Sequence, residues 1–457
     1  MSDPTIDPTP RLLELAADLV QRARKLGADV AEASARTGWE LSAKVRLGTT
    51  ELVEEAGHHG VSLRVIRGGR VATTATSDLT PRGIERCVAD ALELCALSEP
   101  DPFAAPAAAE LLCKPPHPEL ELFDASIDAI DAERAIAQAR LAERAALDAD
   151  PRITNSEGAT YSRTSGASAL VLSSGFEGAV RGSYAALSVS PVVEDEGGKK
   201  RRGSYYSASR QHRDLESAEF IGQEAARRTL RKLGAKKIAT TEAPVVFDPD
   251  VARSLVGSLA GCIVGGALWR KSSYLLEREG TEVASALVNI VDDPLILRGP
   301  GSRPFDGEGL RSRKNVIVER GTLKGFLLDS YSARKLGRES TASAGRSGGS
   351  IGASTSNFIL AAGATPAAEI VKTTARGLYV TELMGFGFNP VTGDFSRGAA
   401  GFWIENGELA FPVSEITISS TLDAMLKAID AVGDDLELKT STASPTLRVS
   451  GMTISGT

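Results

Sequence analysis

The sequence is poor in histidine, cysteine and aromatic residues, and each shortage narrows what the chain can do. Only four histidines occur in 457 residues. They are His58, His59, His117 and His212. No pair has the i, i+4 spacing that sets two imidazoles on one helix face, so no histidine zinc centre is expected. His58 and His59 are neighbours, placed in a turn before a strand, and adjacent residues on an extended segment point oppositely. The four cysteines, Cys87, Cys95, Cys113 and Cys262, have no CxxC spacing. Reduced thiols in a cytoplasmic protein are the simplest reading. No run of about 18 apolar residues exists to span a membrane. The segment Met1-Ser2-Asp3-Pro4 lacks the basic-then-apolar order of a signal peptide. Basic charge is also short: 52 Lys and Arg face 59 Asp and Glu, a formal net charge of −7. A nucleic-acid footprint would be net basic or carry a basic stripe, so nucleic acid is not an expected partner.

Hydrophobic residues at 42% and charged residues at 24% give the balance of a globular protein. The length points to two or three domains. Glycine is abundant, at 45 residues, which predicts many turns and close backbone contacts.

Helical spacing of Leu12, Leu15, Ala16, Leu19 and Val20 predicts a helix from Pro10 to Gly27. Alternation then predicts strands over Trp39 to Val45, Val61 to Val65 and Val71 to Thr76, the last two joined at Gly68-Gly69. Thr80-Pro81 starts a helix reaching Cys95. Ser98 to Pro118, rich in Pro and Ala, reads as a linker. Asp128 to Leu147 reads as a charged helix, Ile153 to Arg210 as a β-meander, and Leu215 to Leu233 as another helix. Val245 to Phe247 is a short strand, and a helix from Asp248 to about Lys271 follows, capped by Asp248 or Asp250. Short strands are then expected at Asn315 to Val318, Leu323 to Leu328, Asn357 to Leu360, Leu378 to Leu383, Ala400 to Glu405, Ile416 to Ser419 and Thr446 to Val449. One helix, Leu422 to Val432, interrupts them. The expected fold class is α+β. The expected division is an N-terminal α+β unit (1–97), a linker (98–122), a second α+β unit (123–236) and a C-terminal β-rich domain (237–457) with a central Gly-rich helix. The two α+β units look alike in element order, but no sequence repeat is strong enough to mark a duplication.

Several residues carry candidate chemistry. Cys262 lies mid-helix with no local histidine, and a nucleophilic thiol needs a base or a helix N-terminus to lower its pKa. A buried small residue is the better reading, with a Cys262 hydrolase the weaker alternative. Gly257, Gly261 and Gly265 recur at i, i+4 and i+8. Each glycine costs a helix about 0.8–1 kcal/mol relative to Ala, so a closely packed backbone or a subunit or peptide surface is expected there. The segment Thr381 to Gly407 alternates glycine with aromatics, holds the turn formers Asn389-Pro390 and Gly393-Asp394, and sets Asp394 close to Arg397. It reads either as a bent strand with a tight loop or as a loop lining a cleft. Asn389, Thr392, Asp394, Arg397 and Trp403 are its candidate peptide or interface contacts. Lys199 to Arg202 reads as a solvated hairpin tip. Asp292-Asp293 is a weak candidate for a loosely held divalent ion.

The run from Asn389 to Gly407 (NPVTGDFSRGAAGFWIENG) resembles the signature of the TldD/PmbA family. Gly60 to Val65 (GVSLRV) and Ser330 to Gly337 (SYSARKLG) are similar to it as well. The likeness covers most of the chain, from about residue 12 onward. The resemblance implies two branches that pair in one complex. The TldD branch carries HExxxH on a helix, with two zinc-binding histidines, a catalytic glutamate and a further cysteine ligand near its C-terminus. Laid over that motif, Gly261 takes the first histidine position, Cys262 the glutamate and Gly266 the second histidine. No cysteine follows Cys262. Leu268 to Leu276 is similar to the PmbA branch, also called TldE. The resemblance therefore implies a PmbA/TldE-like subunit of a metallopeptidase complex, without catalytic or metal-binding residues of its own. Zinc is expected in a TldD-like partner, extended or unfolded peptide is the expected ligand, and chamber closure and peptide binding are this subunit's expected tasks. A stand-alone peptide-binding homodimer, or a protein that modulates DNA gyrase, is the alternative.

Overall fold

A computed structural model describes residues 7–456. The N-terminal half begins with α1 (Thr9–Lys25), β1 (Val30–Arg46), β2 (Thr49–Arg67), β3 (Arg70–Thr76) and α2 (Pro81–Leu97). It continues with α3 (Ala125–Asp128), α4 (Ala132–Asp148), β4 (Asn155–Leu172), β5 (Phe176–Glu194), β6 (Lys200–Arg202), β7 (Tyr205–Ser209) and α5 (Ala218–Leu230). All seven strands belong to one antiparallel sheet, in the order β3-β2-β1-β4-β5-β6 with β7 also on β5. The two α+β units thus share a single sheet, because β1 pairs with β4 over almost its whole length, from Glu32↔Leu172 to Val45↔Ala159.

Strand periodicity sends alternate residues to one face. Ala31, Ala33 and Ala35 of β1 pack under α1 and α2 with Leu19, Leu63 and Val88. Further along the same strand, Leu41, Ala43 and Val45 pack under the second group of helices with Ala139, Tyr161 and Ile221. The small side chains let helices sit close to the sheet. Of the intervening residues of β1, Ser34 and Arg36 face the other way and stay partly or fully exposed, while Glu32 is buried.

The C-terminal half contains β8 (Thr241–Phe247), α6 (Pro249–Cys262), α7 (Gly265–Trp269), β9 (Ile290–Asp292), β10 (Asn315–Glu319), β11 (Thr322–Leu323) and α8 (Ser330–Leu336). Then follow β12 (Ala344–Ser347), β13 (Ser350–Ala353), β14 (Phe358–Leu360), α9 (Ala367–Lys372), β15 (Arg376–Met384), β16 (Asp394–Glu405) and β17 (Glu408–Thr421). The chain ends with α10 (Leu422–Lys427), β18 (Ile429–Val432), β19 (Thr442–Ala443) and β20 (Leu447–Ser455). One sheet runs β17-β16-β15-β8-β20-β18, and β17 also pairs with β20, which closes it on itself. A second sheet runs β11-β10-β9-β14-β19. Helix α6 joins the two: Val251, Leu255 and Leu259 share one core with Phe247, Phe358 and Leu378. Asp248 is its N-cap, accepting from the Asp250 amide at 3.1 Å. The fold is α+β throughout, as the sequence patterning implies.

Several local expectations are corrected. The helix expected from Asp248 to Lys271 stops at Cys262, since Val264 is extended (φ −85°, ψ 143°). Leu327 causes the break: its amide donates to the Ile263 carbonyl at 2.9 Å and its carbonyl accepts from Gly265 at 2.8 Å, replacing helical bonds. The same contact draws Leu327 out of the strand expected over Leu323 to Leu328, which ends at Leu323. The helix expected over Leu422 to Val432 ends at Lys427, because Ile429 and Val432 pair with Val449 and Leu447 of β20. His58 and His59 lie not in a turn but inside β2, opposite Gly38 and Thr37. The segment Lys199 to Arg202 is solvent-exposed as expected except at Arg201, which is largely buried and pairs with Asp195 at 2.7 Å, while Lys199 pairs with Glu415 at 2.6 Å on the surface. The Pro- and Ala-rich stretch after α2 is held down along its length. Asp101 accepts from Tyr331 Oη at 2.7 Å, Arg334 donates to the carbonyls of Phe103, Ala105 and Pro106, and Cys113 donates its amide to Gly309.

Candidate functional site

The residues that the resemblance lays over HExxxH lie at the end of α6 and just beyond it. Gly261 and Cys262 close the helix, and Gly266 sits in the short α7 after the break. Gly257 and Gly261 are exposed, and a Cβ added at either would meet nothing within 4 Å. The expectation of a closely packed backbone fails at these two positions. Gly265 is different: it is buried, and a Cβ there would overlap the Ser332 hydroxyl. That neighbour is a side chain, held by Asp329. The i, i+4, i+8 series therefore divides into an open pair on α6 and one packed glycine after the break.

Cys262 is fully buried. Its Sγ points to the Ser258 carbonyl at 3.4 Å and the Pro390 carbonyl at 3.9 Å, and its own carbonyl accepts from Ser273 Oγ at 2.7 Å. Burial pushes the thiol up to about 12, so it stays protonated at neutral pH and is a poor nucleophile. All four histidines belong to the N-terminal half: two in β2, His117 against the rings of Phe176 and Phe305, and His212 in a short turn before α5. One protonated thiol between two glycines does not fit zinc, which takes three or four nitrogen, thiolate or carboxylate donors. Asp292 is likewise engaged: its carboxylate accepts from the Ser356 amide at 2.6 Å and Ser356 Oγ at 2.9 Å. Asp293 faces Lys314 at 3.9 Å.

The structure brings the end of α6 together with the β15–β16 loop, two segments 128 residues apart at Cys262 and Pro390. The loop is built from its own turn chemistry. Asn389 Oδ1 accepts from the Val391 amide at 2.9 Å, the Asn389 carbonyl accepts from Gly393 at 2.8 Å, and Thr392 Oγ1 donates to Asp394 Oδ2 at 2.5 Å. Two backbone bonds dock it: Tyr274 donates to the Pro390 carbonyl and Leu422 to the Gly393 carbonyl, both at 2.8 Å. Gly393 rests against the Tyr274 ring, where an added Cβ would lie 3.5 Å away. Tyr274 Oη is buried without an acceptor among the described residues, and burial raises its pKa.

Two of the sequence-nominated residues stand apart from this loop. Asp394 does not pair with Arg397, because three residues along a strand place side chains on opposite faces. Arg397 Nε is buried with no acceptor among the described residues. Trp403 is core, 4% exposed, beneath the Arg376 guanidinium. Composition alone passed over the loop's most exposed side chains. Met384, Phe386 and Val391 stand in solvent, Phe386 completely. Large exposed apolar groups such as these, at the end of β15 and on the loop after it, make a candidate interaction surface. The signal was in the sequence, as aromatic and aliphatic residues interleaved with turn formers at Gly385, Gly387 and Pro390.

Comparisons with known proteins bear on this geometry. Three family models match in sequence: PmbA/TldA metallopeptidase domain 1 at residues 31–95, the central domain at 125–233 and the C-terminal domain at 240–456. The Metalloprotease PmbA of Escherichia coli is 39% identical over 430 residues, covering 94% of this chain and 92% of that protein. A Metalloprotease PmbA homolog of Haemophilus influenzae is 37% identical, covering 96% and 94%. A Metalloprotease TldD homolog of the same organism is 28% identical over 59% of this chain. Among solved structures, a Bacteroides thetaiotaomicron protein described as a modulator of DNA gyrase superposes with a TM-score of 0.92 at 28% identity, over 99% of this chain and all of that one. TldE from Thermococcus kodakarensis shares the fold, with a TM-score of 0.85 at 21% identity over 97% of this chain and all of that one. No helix among the described residues is long and apolar enough to cross a membrane. The three consecutive domain matches and the near full-length likeness to PmbA proteins establish that this chain belongs to the PmbA/TldD metallopeptidase family.

Proposed function

We propose that this chain is a PmbA/TldE-type subunit that performs no chemistry itself and works with a TldD-like, zinc-bearing partner on extended or unfolded peptides in the cytoplasm. One observation carries the reading. The end of α6, where the resemblance places the zinc-binding and catalytic groups, holds Gly261, a buried high-pKa Cys262 and Gly266. The open glycine face of α6 and the apolar loop beside it form the surface the partner would cover, closing the peptide chamber. Peptide would be held through backbone hydrogen bonds along a strand edge, with little sequence preference. β3, the outermost strand of the large sheet, offers such an edge. A hydrolase built on Cys262 has no support, since its thiol is protonated and no imidazole adjoins it.

The test mixes the purified chain with a TldD-like partner and an unstructured peptide. The subunit reading predicts a mixed complex on size-exclusion chromatography and cleavage that depends on both chains. A partner that cleaves equally well alone, or a homodimer of this chain that ignores the partner, refutes it.

A further inference from the structure

A separate cleft lies between the open face of the seven-stranded sheet and the β12–β13 hairpin, and shares no lining residue with the end of α6. It encloses about 530 Å³, within the roughly 300–1,000 Å³ of small-molecule sites. Ser34, Ser62 and Ser168 contribute to its floor, and Leu170, Val180 and Phe305 give it apolar walls. The hairpin tip roofs it closely: a Cβ on Gly349 would come 3.3 Å from Ser62 Cβ.

Positive charge at this cleft is only partly matched: Asp306 and Asp292 act on Arg303 from beyond contact distance, and Glu32 pairs with Arg346. Arg303 lines it, and no carboxylate among the described residues lies within 4.0 Å of its guanidinium. Its terminal nitrogens reach only Ser354, the Oγ at 3.3 Å and the carbonyl at 3.5 Å, while its Nε is buried without an acceptor. Asp306 is near but committed, accepting backbone amides from Glu308, Leu310 and Ala344 at 2.9, 2.9 and 3.0 Å. Arg346 donates to the Gly307 carbonyl and to Glu32 at 2.8 Å, leaving its Nη1 buried and unpaired. Glu32 is itself shared with Arg64. Arg36 also lines the cleft and makes no ion pair among the described residues. A buried cation that lacks a partner is costly, and burial already holds Arg303 below the usual arginine range. The guanidinium fork matches the two oxygens of a carboxylate or phosphate.

We infer that this cleft binds an oxyanion carried on an apolar body, with Arg303 and Arg346 taking the anion and the walls around Leu170 and Phe305 holding the body. The site is complete within one chain, so it stands or falls independently of the partner subunit.

Calorimetric titration of the full chain tests it with acetyl-trileucine as the free acid, its C-terminal amide, hexyl phosphate and inorganic phosphate. One of the two apolar anions should bind saturably, and which one identifies the source of the oxyanion. The neutral amide should bind at least about tenfold more weakly than the acid if the carboxylate is that source. Arg303→Gln should lose at least about tenfold in affinity. Ser168→Phe, at an exposed strand position, should block the cleft while leaving the circular dichroism spectrum and Tm unchanged. The inference is overturned if neither apolar anion binds, if the peptide acid binds and its amide binds as tightly, if hexyl phosphate binds and inorganic phosphate binds as tightly, or if either variant binds as the native chain does.

Discussion

Cys262 and Pro390 meet at the end of α6, the thiol 3.9 Å from the proline carbonyl. The contact ties the helix end that the resemblance lays over HExxxH to a loop carrying the exposed Phe386 and Val391, and burial keeps the thiol protonated. Iodoacetamide should therefore leave Cys262 unmodified in the native chain at pH 7.5, and modify it after unfolding in guanidinium. Cys262→Ala should cost about 1 kcal/mol of stability from lost packing and leave partner-dependent cleavage unchanged. Mass mapping of the labelled peptides and denaturant unfolding check both.

The three glycines should respond with opposite signs. Gly257→Ala and Gly261→Ala add a methyl into open space on an exposed helix face, so each should stabilise the chain by about 0.5–1 kcal/mol. Gly265→Ala places a methyl onto the Ser332 hydroxyl and should destabilise by about 1–3 kcal/mol. Thermal unfolding of the three variants distinguishes this arrangement from a continuous glycine stripe, which would make all three unfavourable.

Much of the fold was legible where one periodicity holds over a whole element. α1, α2, α4 and α5 declare themselves by their helical patterning, and α2 by Thr80-Pro81 at its start. At the candidate site the sequence offers a residue-by-residue comparison. Gly261, Cys262 and Gly266 can be compared with HExxxH residue by residue without knowing any geometry. What stayed hidden depends on partners distant in sequence. Nothing local in Ile263-Val264 announces that Leu327 will take their hydrogen bonds and end the helix. Nothing in Ile429 to Val432 announces that β20 will turn an apolar helical pattern into a strand. The unpaired guanidinium of Arg303 is likewise visible only once Asp306 is seen to spend its carboxylate on backbone amides.

The apolar loop should matter for assembly and not for folding. Phe386→Ser and Val391→Ser remove exposed side chains, so Tm should stay within about 1–2 °C of the parent. Affinity for a TldD-like partner should fall at least about tenfold, about 1.4 kcal/mol. Analytical ultracentrifugation of the mixed chains gives both the stoichiometry and the loss.

A pH effect on stability should trace to Glu308. Burial, with Asp306 and Asp329 nearby, raises its pKa from 4.5 to about 7. Between these values the unfolded chain releases a proton that the folded chain keeps, so stability falls as pH rises through that window and levels off above it. The expected cost at pH 8 is on the order of 3 kcal/mol. Glu308→Gln retains an oxygen for the Ser330 amide, 2.8 Å away. It should stabilise the chain at pH 8 and be nearly neutral at pH 4. Urea unfolding at the two values decides, and equal effects at both would remove Glu308 as the source.

On the proposed reading, the chemistry lies outside this chain. The most direct measurement pairs the native chain with a TldD-like partner whose HExxxH glutamate is replaced by glutamine, and follows cleavage of an unstructured peptide. An assembled complex with no cleavage above the uncatalysed background is the expected result. Cleavage at the rate of the complex with unmodified partner would put catalytic groups in this chain and contradict it.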